Sequence, residues 1–95
     1  MQHFFLKLNP PRPTFMMDMS PDEKATMQKH VAYWGELLNK GNAIVYGPVM
    51  DPNGGYGIGV VAAENEQELR QIIAADPANG LSKYDYYPMR AVFKG

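Results

Sequence analysis

Ninety-five residues with 45% apolar content make one small domain, which buries roughly two thirds of the surface its unfolded chain exposes. A net charge of -1 without a basic run excludes charge-driven binding to nucleic acid or anionic lipid. The chain has no cysteine, hence no disulfide and no thiolate nucleophile or ligand.

No apolar run approaches the roughly 18 residues of a membrane span. Met1-Gln2-His3 leads directly into strand-like sequence, unlike a signal peptide. A soluble, cytoplasmic protein is the expectation.

Gln2 to Leu8 alternates, with Phe4, Leu6 and Leu8 on one face and Phe5 and Lys7 on the other, and Asn9-Pro10-Pro11 ends this first strand. The connector from Asn9 to Met19 is long for a compact domain. It holds three prolines, Arg12, Phe15 and three methionines, so it is stiff and should lie on the domain as a lid, a pocket wall or a plain crossing. Ser20, Pro21 and Glu23 then form a capping box, and Gly41 a left-handed stop, around a helix from Ser20 to Lys40. Met27, Val31, Trp34, Leu37 and Leu38 recur on it at helical spacing and predict one buried stripe.

Ala43 to Val49 reads as a second strand and Tyr56 to Ala63 as a third, joined through Asp51-Pro52-Asn53-Gly54 as an antiparallel hairpin. One face of the third strand carries Gly57, Gly59, Val61 and Ala63, residues that permit close approach by another element, a ligand or a subunit. Asn65 and Glu68 cap a second helix, whose stripe is Leu69, Ile72 and Ile73 and which ends near Asp76-Pro77. Lys83 to Tyr87 reads as a fourth strand, interrupted at Pro88 before Met89 to Phe93.

The order strand, helix, strand, strand, helix, strand predicts an α+β, ferredoxin-like βαββαβ fold: an antiparallel sheet with both helices on one face. The other face, assigned the Gly57, Gly59, Val61 and Ala63 side, is left for a second copy, which predicts a homodimer.

His30 is the one residue out of place on the long helix, a turn before Trp34 and close to Met27 and Val31. The helix alone leaves two readings open: a core histidine bonded to backbone, or an imidazole facing a pocket.

The helix His30-x-x-Tyr33-Trp34-x-x-Leu37-Leu38-x-x-Gly41, Gly47-Pro48 after the second strand, Ala74-Ala75-Asp76-Pro77 closing the second helix, and Gly80-Leu81 before the last strand come in one order over nearly the whole chain. This pattern resembles the YCII-related (YciI-like) family. The resemblance implies a stand-alone ferredoxin-like domain pairing as a dimeric α/β barrel, with a proposed active site formed by a first-helix histidine and an aspartate in the Asp-Pro step. Those positions match His30 and Asp76 here. It also brings a precedent for elimination, since one relative is a dehydrochlorinase acting on a chlorinated hydroxyquinol. The connector from Asn9 to Met19 is longer than in the shortest members.

A carboxylate bonded to one imidazole nitrogen fixes the tautomer and raises the basicity of the other, which suits proton abstraction. Asp76 alone reads more readily as a turn cap before proline, and the family pattern brings the two readings level. Trp34, Tyr33, Asp51 and Arg12 are the candidate substrate-binding residues; against them stand packing for the aromatics, a turn for Asp51 and a solvated surface for Arg12 and Arg90. The run Gly54-Gly55-x-Gly57-x-Gly59 leads into a strand and lacks Lys-Ser/Thr, so it is no phosphate cradle. His3 and His30 lack metal-ligand spacing, and no Ser-His-Asp arrangement is supported. No metal or other cofactor is therefore expected. Two functions remain: a cofactor-independent lyase or isomerase using His30 and Asp76 on a small molecule, or a non-catalytic binding or regulatory module on the same fold.

Overall fold

The long helix forms where its caps stand. In a computed structural model, which describes residues 1–94 of the chain, helix α2 spans Pro21–Lys40. The Ser20 hydroxyl accepts from the Glu23 amide at 3.2 Å, and the Glu23 carboxylate accepts from the Ser20 amide at 2.8 Å. Such a cap contributes about 1 kcal/mol. Gly41 stops the helix at φ 88°, its N–H donating to the Leu38 carbonyl at 3.1 Å.

Before it come strand β1, Gln2–Asn9, and a single helical turn, α1, Phe15–Asp18. After it come β2 (Ala43–Val49), β3 (Tyr56–Ala63), α3 (Glu66–Ala75) and β4 (Lys83–Met89). The sheet order is β2-β3-β1-β4 with every pairing antiparallel, the ferredoxin-like arrangement.

Register decides what each face does. Leu6 pairs with Gly59, Phe4 with Val61 and Leu8 with Gly57 in β3, while Leu6 and Leu8 oppose Tyr86 and Tyr84 in β4. These residues therefore share one face. Upon it lie Trp34 and Leu37 from α2 and Leu69 from α3, closing a single core. Phe4, Leu6, Val61 and Leu69 are fully buried, each contributing about 1.5–3 kcal/mol of transfer free energy.

Three expectations need correction. The Gly57, Gly59, Val61 and Ala63 side is the helix-covered face, because the bare strand at Gly59 lets the Trp34 indole lie directly on it. The face without helices carries Phe5, Lys7, Ile58, Val60 and Tyr87 instead. Pro88 does not interrupt β4: the strand is at the sheet edge, where proline is tolerated because only one side of the strand has a ladder partner, and it runs on to Met89 before regular structure ends. The stripe on α2 is also narrower than predicted. Trp34 and Leu37 are buried, whereas Val31 and Leu38, each one position further round the helix, are 54% and 44% exposed.

The hairpin turn is held by Asp51, whose carboxylate accepts from the Asn53 amide at 2.8 Å and whose carbonyl accepts from the Gly54 amide at 3.0 Å. Gly54, at φ 132°, packs against Pro13 and ties this turn to the front connector. No described helix is long and apolar enough to cross a membrane.

Candidate active site

Asp76 caps the C-terminus of α3 with an extended backbone, the geometry that the following proline requires. This turns its carboxylate back under the sheet, where the side chain is wholly buried. Its Oδ1 accepts from the Ala78 amide at 2.9 Å. His30 reaches it from α2, with Nδ1 at 2.8 Å from Oδ2 and 3.0 Å from Oδ1. The Trp34 indole N–H donates to Oδ2 at 3.1 Å and is shared with the Tyr84 hydroxyl oxygen at 3.0 Å. Tyr84 in turn donates its O–H to Oδ2.

Burial pushes the Asp76 carboxyl up, but the bonds from His30, Tyr84 and the Ala78 amide outweigh it and hold the group below the usual carboxylate range. The Tyr84 phenol moves the other way: burial first, then the adjacent carboxylate, raises it well above its ordinary value. Tyr84 therefore stays a protonated donor to an ionised Asp76.

An ionised carboxylate only accepts, so the proton between the pair sits on Nδ1 of His30. In the neutral form of the ring Nε2 then carries the lone pair. Among the described residues it has no hydrogen-bond partner, and it is not sealed from solvent.

His30 lines a cavity of about 330 Å³ between α2, the sheet and the front connector. Leu6, Leu8 and Gly59 form its floor, Trp34 and Tyr46 one wall, and Phe15, Met16 and Met19 of the connector another. The indole and the Tyr46 ring lie 5.7 Å apart. The connector is thus a pocket wall. It is latched by Arg12, which donates to both oxygens of Glu23 at 2.8 and 2.9 Å and to Asp18 Oδ1 at 2.8 Å. A hydrogen bond from Arg12 holds the Glu23 carboxyl below its ordinary value, and bonds from Thr14 first and then Arg12 do the same for Asp18.

Of the six predicted site residues, the fold brings three together: His30, Asp76 and Trp34. The other three stand away from the cavity lining for identifiable reasons. Arg12 is occupied by Asp18 and Glu23, Asp51 by its own turn, and Tyr33 donates to the Ile72 carbonyl at 2.6 Å across the α2–α3 contact. Tyr84 and Ser82 were not singled out from the sequence. The tyrosine-rich fourth strand marks no single residue, and only the register of β4 against Leu8 puts Tyr84 beside Asp76.

No group of three or more His, Cys, Asp or Glu side chains able to hold a metal ion occurs among the described residues. Geometry alone makes the site a carboxylate-oriented imidazole at the edge of an apolar cavity.

The fold is that of a solved structure, 5-chloro-2-hydroxyhydroquinone dehydrochlorinase (TftG) from Burkholderia phenoliruptrix in complex with 2,5-dihydroxybenzoquinone. The TM-score is 0.61 and the identity 17%, over 92% of this chain and 93% of that one. No curated protein sequence matches the chain. The model of the YCII-related domain matches residues 3–91, nearly the full length, and the protein belongs to the YCII-related family.

Proposed function

We propose that the protein is a cofactor-independent small-molecule enzyme that moves a proton in an elimination or isomerisation. His30 acts as general base and acid, and Asp76 is its positioning partner. The observation that carries this reading is the pair itself: Nδ1 tied to a buried, ionised carboxylate at 2.8 Å, with the opposite nitrogen unpaired beside an apolar cavity.

In the proposed step, Nε2 takes a proton from the substrate, and the positive charge that develops on the ring is balanced by Asp76. Loss of a leaving group, or return of the proton to another substrate atom, completes the reaction. Trp34 and Tyr84 hold the carboxylate so that it orients the ring without taking its proton. The family membership and a fold neighbour whose printed reaction is an elimination support the same class. A homodimer built on the helix-free sheet face completes the proposal.

One observation favours a second reading, in which the pair serves only structure within a binding or regulatory module. Asp76, at the end of α3, accepts from four groups, two on α2, one on β4 and one in the turn, and so pins α2, α3 and β4 together without any chemistry. The two readings separate on His30→Asn. Parent and variant are offered chlorinated quinols and cyclic ketones in heavy water, and halide release and deuterium uptake are followed alongside melting curves. The proposal expects turnover by the parent, loss of at least about a hundredfold in the variant, and nearly equal melting temperatures. Equal rates in the two chains would leave the structural reading.

A further inference from the structure

Ser82 stands outside the Asp76 network, yet it lines the same cavity. Its backbone is fully used in the turn after α3: the amide donates to the Ala78 carbonyl at 3.0 Å, and the carbonyl accepts from the Gly80 amide at 3.3 Å. Its side chain is not. The residue is 2% exposed, and among the described residues its Oγ is the one buried side-chain polar atom without a hydrogen-bond partner. Folded proteins keep few such groups, because burying a hydroxyl without a partner is unfavourable and alanine would fill the place at no such cost.

The cavity lining supplies a second, independent observation. Met16, Met19, Met27, Phe15, Leu6 and Pro48 are typical of it, and no Lys, Arg, Asp or Glu takes part. The Asp76 carboxylate behind His30 repels an anion. The Arg12 guanidinium stacks on Phe15 at 5.3 Å but is already paired with Asp18 and Glu23, so an anionic ligand would lose its hydration and meet no cation in the cavity lining. The volume, about 330 Å³, is at the small end for ligand pockets and suits one substituted ring.

We infer that Ser82 is a ligand-binding residue and that the cavity takes an uncharged, ring-sized molecule whose hydroxyl or carbonyl oxygen pairs with Ser82 Oγ once the hydroxyl, which has no bond to lose, turns about χ1 toward the cavity. This deepens the proposed function and rests on it for the identity of the site. Ser82 anchors an oxygen, the apolar walls enclose the ring, and His30 meets the part of the molecule that reacts. The serine hydroxyl both donates and accepts, so it serves a phenol or a ketone alike.

The test uses three probes of similar shape, phenol, toluene and benzoate, with affinities read by NMR titration of the full chain at neutral pH. In the parent, phenol should bind more tightly than toluene, and benzoate should bind weakest. Ser82→Ala should weaken phenol about tenfold while leaving toluene unchanged, so that the preference for the hydroxyl disappears. Ser82→Cys, of nearly the same shape but a poor hydrogen-bonding group, should behave like the alanine variant. Melting temperatures of both should match or slightly exceed the parent's, which separates a lost contact from a damaged fold. Equal phenol affinity in parent and variants, benzoate binding as tight as phenol, or no binding of phenol at all would overturn the inference. Because binding is read without turnover, such a result leaves the His30 experiment to be judged on its own.

Discussion

Gly59 and Gly57 are two residues apart on one face of β3, yet adding a methyl group to each should have opposite consequences. A Cβ at Gly59 would stand 2.6 Å from both Cη2 and Cζ3 of Trp34, while one at Gly57 would meet Leu8 Cβ at 3.5 Å, an ordinary contact. The indole is rigid, only 3% exposed, and held by its N–H to Asp76 and Tyr84. Gly59→Ala must therefore lift the ring and stretch those bonds. Overpacking of this kind costs about 1–3 kcal/mol, and two weakened hydrogen bonds add about 1 kcal/mol each. The reduced freedom of the unfolded chain returns about 0.4–1 kcal/mol. The net loss is about 2–4 kcal/mol, and at about 4–8 °C per kcal/mol for this size the melting temperature should fall by at least about 8 °C. Gly57→Ala should melt at or slightly above the parent. Thermal melts followed by near-UV circular dichroism of the single tryptophan supply the assay. A Gly59→Ala protein as stable as Gly57→Ala would refute the placement of Trp34 on the sheet.

Asp76→Asn turns one acceptor oxygen into a donor amide facing other donors, so it should cost roughly 3 kcal/mol. Because the folded carboxyl lies below its unfolded value, its contribution is present above the usual carboxylate range and lost as pH falls through the folded value. Parent stability should thus drop on acidification below about pH 4, and the Asn variant should show a flatter profile in acid denaturation. Arg12→Ala removes the latch to Asp18 and Glu23, and limited proteolysis should then cut faster within residues 10–19, with the parent as control. The helix-free face, with Tyr87 57% and Val45 50% exposed, predicts association. Light scattering should give about twice the chain mass of 10.7 kDa at micromolar concentration, and a monomer mass would count against the dimer.

What the chain discloses in advance follows from the range of the physics involved. Caps act over three or four residues, so Ser20, Glu23 and Gly41 define α2, and Asn65 with Asp76-Pro77 define α3, in sequence as in structure. Strand alternation is equally local, and the bounds of β2 and β3 follow from it. Which face of β3 the helices cover is not local. It depends on Leu6 opposing Gly59 and on an indole large enough to need the space that glycine leaves, and alternation alone assigns the wrong side. The candidate site divides in the same way. The family resemblance picks out His30 and Asp76, whereas Tyr84 and Ser82 join them only through the β1–β4 register and the turn after α3. Arg12 illustrates the converse: a cation in a connector invites a ligand, but Glu23, required at that position by the capping box, is also within its reach.

The central claim is that Asp76 holds His30 with its proton on Nδ1 and the Nε2 lone pair free for chemistry. Long-range proton–nitrogen correlation spectra of the His30 ring in alkaline buffer, where imidazole is neutral, test this without any substrate. The expected result is a protonated Nδ1 and an unprotonated Nε2 in the parent, with that preference weakened in Asp76→Asn. A ring protonated on Nε2 in the parent, or one whose tautomer ignores Asp76→Asn, would contradict the account.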